Sequence, residues 1–97
     1  MSNGFVSEVK LSNAPWNAMD NSIGTEGAIA LAEALKVNSA VTRIDLMFNS
    51  IGAEGAIALA EALKVTSTVI GIVLRGNFVD YETSQLIKRI SNNRIRF

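Results

Sequence analysis

The chain has 97 residues, of which 48% are hydrophobic and 19% are charged, and its formal net charge is zero. This composition indicates one small globular domain and argues against a disordered chain or a generally basic nucleic-acid binder. The chain has no cysteine and no histidine, which excludes disulfides, cysteine nucleophiles, Ser-His-Asp triads and most zinc and iron sites, so we predict no enzyme, cofactor or metal.

The first predicted element is a β-strand within VSEVKLSN, residues 6–13, where alternation directs Val9 and Leu11 toward the core. An alternative register places the strand over residues 13–18. Pro15 weakens that alternative, because proline cannot donate a hydrogen bond to a neighbouring strand.

The segment APWNAMD, residues 14–20, follows the first strand and is interpreted as a loop insertion. It holds the only proline and the only tryptophan of the chain. Two roles fit Trp16: it covers the open end of the core, or it anchors a partner, as aromatic side chains at interfaces often do.

Two predicted helices contain the same twelve residues, EGAIALAEALKV, at 26–37 and again at 54–65. These residue types favour helices, and the apolar ones recur with helical spacing. In each copy they form one stripe that we expect to face the core. The stripe consists of Gly27, Leu31, Ala34 and Leu35 in the first copy and of Gly55, Leu59, Ala62 and Leu63 in the second.

A short alternating segment follows each helix, VTRIDL at 41–46 and VIGIVL at 69–74. The alternation predicts β-strands, with Ile44 and Ile72 among the inward positions. Strands that alternate with helices through short connections should be parallel to one another.

The whole unit repeats with a period of 28 residues, and 20 of the 28 residues in 22–49 are identical to their counterparts in 50–77. Asn21, Asn49 and Asn77 keep the same phase, and a degraded third copy runs to the C-terminus. Each asparagine follows a strand, where its amide can satisfy the backbone of the turn, so we predict a structural ladder of asparagines.

Two strand-and-turn motifs summarise the repeat. They are Val41-x-x-Ile44-x-Leu46-x-x-Asn49-x-Ile51-Gly52 and Val69-x-x-Ile72-x-Leu74-x-x-Asn77-x-Val79. These motifs resemble the leucine-rich repeat, and the 28-residue period with IGxEGAxALAEAL is similar to its ribonuclease-inhibitor-like class. The resemblance covers about residues 5–92.

This resemblance implies an α/β solenoid, a right-handed β-α superhelix with short parallel strands on the concave face and helices on the convex face. It also implies a non-catalytic protein–protein interaction module. We predict a single domain over 1–97, with a first strand and insertion loop at 5–20, repeats at 21–48 and 49–76, and a partial repeat with a C-terminal cap at 77–97.

The outward strand positions of the concave face, with the residues beside them, are the candidate partner-binding residues. They are Glu8, Lys10, Arg43, Asp45, Met47, Phe48, Ile70, Val73 and Arg75, with Trp16 as a loop anchor. Adjacent rows should place Glu8 beside Arg43 and Lys10 beside Asp45. The apolar members form a patch of a kind that marks contact surfaces.

The charge of the chain is unevenly distributed, with a net charge of −3 over residues 1–74 and +3 over residues 75–97. One interpretation is a solvated last helix whose cations complement its C-terminal dipole. The alternative function is a binder of nucleic acid or an anionic surface. That alternative would use Lys88, Arg89, Arg94 and Arg96.

A sheet of three parallel strands would leave two unpaired edges. Three arrangements would cover these edges. The Trp16 loop and the NNRIRF terminus could act as caps, or the chain could self-associate through a sheet edge or the apolar patch. In the third arrangement, the chain is a piece of a longer repeat array whose neighbouring repeats pair with the edges. No signal peptide or membrane span is apparent, so we expect a cytoplasmic protein that binds another, unidentified protein and no membrane.

Overall fold

The computed structural model describes the backbone of residues 8–10 and, with their side chains, residues 23–38, 40–69 and 71–97. Strands and helices alternate along these segments. The strands are β1 (Glu8–Lys10), β2 (Arg43–Asp45), β3 (Gly71–Val73) and β4 (Ile95–Arg96), and the helices are α1 (Gly24–Leu35), α2 (Gly52–Leu63) and α3 (Tyr81–Ile90). None of the described helices is long and apolar enough to cross a bilayer.

The four strands form one parallel sheet in the order β1-β2-β3-β4. Glu8 pairs with Arg43 and Lys10 pairs with Asp45, which confirms the predicted rows. The first strand therefore lies within 6–13, as predicted, while the proposed insertion at 14–20 lies outside the described residues.

The fourth strand corrects the expectation of a three-stranded sheet. After α3, Asn92 and Asn93 adopt positive φ angles of 57° and 63°, a conformation that asparagine tolerates better than most residues. The chain thereby turns back, and Ile95 pairs with Ile72 and is buried. The C-terminal segment thus covers the exposed edge of β3 by joining the sheet.

The helices pack on one side of the sheet with α2 in the middle, in contact with both α1 and α3. The predicted apolar stripe is confirmed in α2, where all four of its positions are buried. It is wrong for Ala34 of α1, which is exposed. In α1 the buried residues are Ala28, Ala32 and Leu35, because this helix contacts a single neighbour among the described helices.

The contact between α1 and α2 is close because small residues meet there. A Cβ atom placed on Gly55 would lie 3.0 Å from the Cβ atom of Ala28 and 2.5 Å from a methyl carbon of Ile51. The absence of a side chain at this position lets the two helix backbones approach each other. The alanine-rich repeat therefore encodes the packing distance of the helix layer.

Asn49 and Asn77 are both buried in the turns that follow β2 and β3. The side-chain oxygen of Asn49 accepts from the backbone N–H of Ile23 at 3.1 Å, and that of Asn77 accepts from the N–H of Ile51 at 3.1 Å. Each asparagine therefore holds the residue that precedes the helix of the previous unit. The predicted structural ladder is confirmed for these two residues, whereas Asn21 lies outside the described residues.

Candidate protein-binding surface

The sheet has one side turned away from the helices, and we call the outward residues of its strands the sheet face. Successive strand residues point to opposite sides, so the burial of the alternate residues Ile44, Ile72 and Ile95 fixes which residues point outward. The sheet face comprises Arg43 and Asp45 of β2, Gly71 and Val73 of β3, and Arg96 of β4.

The strand register arranges the sheet face in two rows. The first row runs across the strands through Glu8, Arg43 and Gly71, and the second runs through Lys10, Asp45, Val73 and Arg96. Glu8 and Lys10 are assigned to these rows from backbone pairing alone. In both rows, the residues of β1 and β2 are opposite in charge. The second row ends on Arg96 of β4.

A cavity of about 260 Å³ opens on the sheet face. It is lined by Arg43, Ile44, Asp45, Gly71, Ile72, Val73 and Arg96. A Cβ atom added to Gly71 would have no atom within 4 Å, so the middle of the cavity is open down to the backbone of β3. The opening is of a size that receives a side chain rather than a large ligand.

The charges around the cavity are not neutralised by ion pairs within the described part of the chain. Both ion pairs found there lie on the helix side, between Lys36 and Glu33 at 3.1 Å and between Lys64 and Glu61 at 3.3 Å. The carboxylate of Asp45 instead accepts from the backbone N–H of Met47 at 3.1 Å. Among the described residues, the walls of the cavity therefore carry two arginines and one aspartate, which is a positive net charge.

The structure brings together three of the predicted site residues, Arg43, Asp45 and Val73. Met47 and Arg75 lie beyond the ends of β2 and β3, with Met47 half-buried and Arg75 exposed. Ile70 and Trp16 are outside the described residues, so the structure does not test the roles predicted for them.

Phe48 does not line the cavity. It follows β2 in a turn with a positive φ angle of 62°, and its ring lies against Gly76 in the next turn. This contact half-buries the side chain. The sequence predicts that Phe48 belongs to an apolar patch with Val73. In the structure its ring instead packs between the two turns.

Arg96 is the charged cavity residue that the prediction of the concave face missed. From the sequence, Arg96 is predicted only among the cations of the alternative function, because RIRF lies outside the two well-matched repeats. The signal that could have found it is the alternation of Ile95 and Phe97 with arginines, which predicts a strand with Arg96 facing outward.

Arg94, another of those cations, is bound to the backbone. Its Nη1 donates to the carbonyls of Thr66 at 3.0 Å and Val69 at 3.1 Å, and its Nη2 donates to the carbonyl of Leu63 at the end of α2. Its Nε also donates to the carbonyl of Ser91 at 3.0 Å. Arg94 thus holds the connection between α2 and β3.

Two segments of the chain, residues 19–32 and 37–60, match the family model described as Leucine Rich repeat. The match supports a leucine-rich repeat protein, and the alternation of helices with parallel strands is compatible with the α/β fold of that family. Domains of this family are generally protein-interaction modules and are generally not enzymes. No curated protein matches the chain.

Proposed function

We propose that this leucine-rich repeat chain is a non-catalytic protein-binding module of the ribonuclease-inhibitor-like class, with 28-residue repeats, and that it binds its partner through the sheet face. The observation that carries the proposal is the cavity between Arg43 and Arg96. Side chains of both signs and the apolar Val73 meet there, and the described residues offer their charges no ion pair.

The distribution of differences between the two repeats supports this choice of surface. Of the eight positions that differ between 22–49 and 50–77, one lies in the helices, two lie in the connections that follow them, and five lie in the strands, directly before them or within three residues after them. The pairs on and just beyond the sheet face are Arg43 and Gly71, Asp45 and Val73, and Met47 and Arg75. A scaffold needs identical helices to stack, whereas its outward strand positions are free to serve a partner.

Self-association is a second part of the proposal, since β1 and β4 are the outer strands of the sheet that the described residues form. A further cavity of about 320 Å³ lies beside β4, where Ile95, Arg96 and Phe97 meet Lys88 and Asn93. A strand from a second copy would find both backbone partners and an apolar contact there. Light scattering at increasing protein concentration tests this part, and a constant monomer mass would contradict it.

The alternative function, binding of nucleic acid or an anionic surface, is left with Lys88, Arg89 and Arg96, because Arg94 donates to four carbonyls. A salt titration separates it from protein binding, since affinity for a phosphate backbone falls steeply as salt increases. The cytoplasmic location expected from the sequence stays a prediction.

The main proposal is tested by a matched pair of variants used to capture proteins from an extract of the source cells. Val73→Lys changes the sheet face, whereas Val65→Lys makes the same change at an exposed position after α2. We expect wild type and Val65→Lys to retain the same cross-linked proteins and Val73→Lys to lose them. Retention of those proteins by Val73→Lys would contradict the sheet face as the binding surface.

A further inference from the structure

The two sides of the molecule differ in charge. The sheet face and the position just beyond β3 carry four basic residues against two acidic ones: Lys10, Arg43, Arg75 and Arg96 against Glu8 and Asp45. Helices α1 and α2, with the lysines that cap them, carry four glutamates against two lysines: Glu26, Glu33, Glu54 and Glu61 against Lys36 and Lys64. The sheet face therefore has a positive net charge, whereas the surface formed by α1 and α2 has a negative one.

Arg43 and Arg96 stand on opposite sides of an open gap. They are two strands apart and one row apart in the register, which puts their Cα atoms about 12 Å from each other. Gly71 of β3, the strand between them, is next to Arg43 in the first row and has no side chain, and both arginines line the same cavity. Two long guanidinium side chains can therefore approach one group placed over Gly71.

Guanidinium groups bind carboxylates with paired, charge-assisted hydrogen bonds, which makes a carboxylate the group that best complements this gap. Asp45 does not fill it: its Oδ1 accepts from the N–H of Met47, and among the described residues the carboxylate forms no ion pair with either arginine of the gap. Asp45 lies in the second row, and in the first row Glu8 pairs with Arg43 on the side away from Gly71, so both acidic positions leave the place over Gly71 as the one for an incoming carboxylate. Val73, next to Asp45, gives the partner an apolar contact.

We propose that the sheet-face cavity binds an acidic segment of a partner protein and that one carboxylate of this segment lies over Gly71 between Arg43 and Arg96. The proposal rests on the proposed protein-binding function and specifies the chemistry of the partner. Charge complementarity selects an acidic segment over a basic one, and the side-chain size of the cavity selects a single carboxylate.

The test uses the full chain labelled with ¹⁵N and a probe peptide of six glutamates and one leucine. We expect the amide signals of Gly71 and Val73 and the Nε–H signals of Arg43 and Arg96 to shift during the titration. A peptide of six lysines and one leucine should leave them in place. Affinity for the glutamate peptide should fall as salt is added, because the contacting charges are solvent-accessible.

Variants locate the binding. Arg43→Gln and Arg96→Gln should each lower the affinity for the glutamate peptide by about threefold, and the double variant should lower it by about tenfold. These modest factors are those of charged contacts at a solvent-accessible surface. Lys64→Gln, which removes one positive charge at an exposed position after α2, is the control and should leave the affinity unchanged. Equal affinities for the double variant and wild type would overturn the proposal.

Two further outcomes are informative. A single-stranded oligonucleotide that shifts the Gly71 signal at a lower concentration than the glutamate peptide would overturn the choice of an acidic protein segment. If Val73→Lys abolishes protein capture while the glutamate peptide leaves Gly71 unshifted, the sheet face remains a protein-binding surface and the acidic segment is rejected. The two proposals can thus fail separately.

Discussion

The side-chain oxygen of Asn77 accepts a hydrogen bond from the backbone N–H of Asn49 at 2.8 Å, across 28 positions of the sequence. The same oxygen accepts from the N–H of Ile51. Its amide group donates to the carbonyls of Leu46, Leu74 and Arg75, at 2.8, 2.9 and 3.3 Å. One buried side chain therefore binds the turns of two consecutive units together.

Asn77→Ala should lower the free energy of unfolding by about 3–5 kcal/mol, because buried donors and acceptors of the backbone lose their partner. That is a large share of the stability of a small domain. Urea unfolding followed by circular dichroism measures the change. Ser67→Ala, at an exposed position of the α2–β3 connection, is the control and should stay within about 0.5 kcal/mol of wild type. Equal stabilities for the two variants would refute the ladder as a source of stability.

Arg94→Ala should destabilise the protein by about 2–4 kcal/mol, because three carbonyls at the end of α2 and in the following connection lose a charged donor. Arg94→Lys should recover only part of the loss, since one ammonium lacks the planar fork that reaches several carbonyls at once. Thermal unfolding of both variants, beside the exposed control Arg89→Ala, measures these effects. Full recovery by lysine would show that charge alone matters there.

The elements that the sequence predicts well are those that recur. Asn49 and Asn77 occupy the same phase of two nearly identical units, so their role follows from what any such turn requires. The pairing of Glu8 with Arg43 follows likewise, because a one-residue slip would turn every inward side chain of the strand outward.

The contacts that the sequence does not predict are those made by residues that occur once and not in every repeat. Arg94 resembles any cation near a helix C-terminus until the chain brings it beside Leu63, 31 residues earlier. Phe48 looks like a member of an exposed patch, because no local pattern reveals that its ring packs on Gly76. For the same reason, the sequence places Arg43, Asp45 and Val73 on the sheet face but does not place Arg96 of β4 there.

Gly76→Ala should destabilise the protein by about 2 kcal/mol for two separate reasons. Gly76 has a φ angle of 78°, which costs roughly 1–2 kcal/mol for a residue with a side chain, and an added Cβ would lie 2.5 Å from the ring of Phe48. Gly71→Ala, with open space around the new Cβ, is the control and should be nearly neutral.

A double-mutant cycle separates the two contributions at Gly76. In a Phe48→Ala background the ring is absent, so Gly76→Ala should cost about 1 kcal/mol less than in the wild-type background. Denaturant unfolding of the four proteins in the cycle provides the comparison. An unchanged cost would mean that the ring moves away freely and that the backbone conformation alone opposes a side chain.

Asp80 is the N-cap residue of α3, and its carboxylate should make the stability of that helix depend on pH. The hydroxyl and the backbone N–H of Thr83 hydrogen-bond its carboxylate and lower its pKa below the ordinary value of 3.8. Because the folded pKa is below the unfolded one, this stabilisation is complete above the unfolded pKa and is lost as the pH falls through the folded pKa. The affected window therefore lies below about pH 4.

The pKa of Asp80 is measured directly by following its carboxyl carbon by NMR during an acid titration. Thr83→Ala removes the hydroxyl but keeps the backbone N–H, so it should move the pKa of Asp80 part of the way back to its ordinary value. Asp80→Asn keeps a capping side chain without the titrating proton. Its melting temperature should therefore fall less than that of wild type as the pH is lowered from about 5 to about 2. If Asp80 of the wild type titrated at or above its ordinary pKa, the hydrogen bonds from Thr83 would not stabilise its carboxylate and the predicted pH dependence would be wrong.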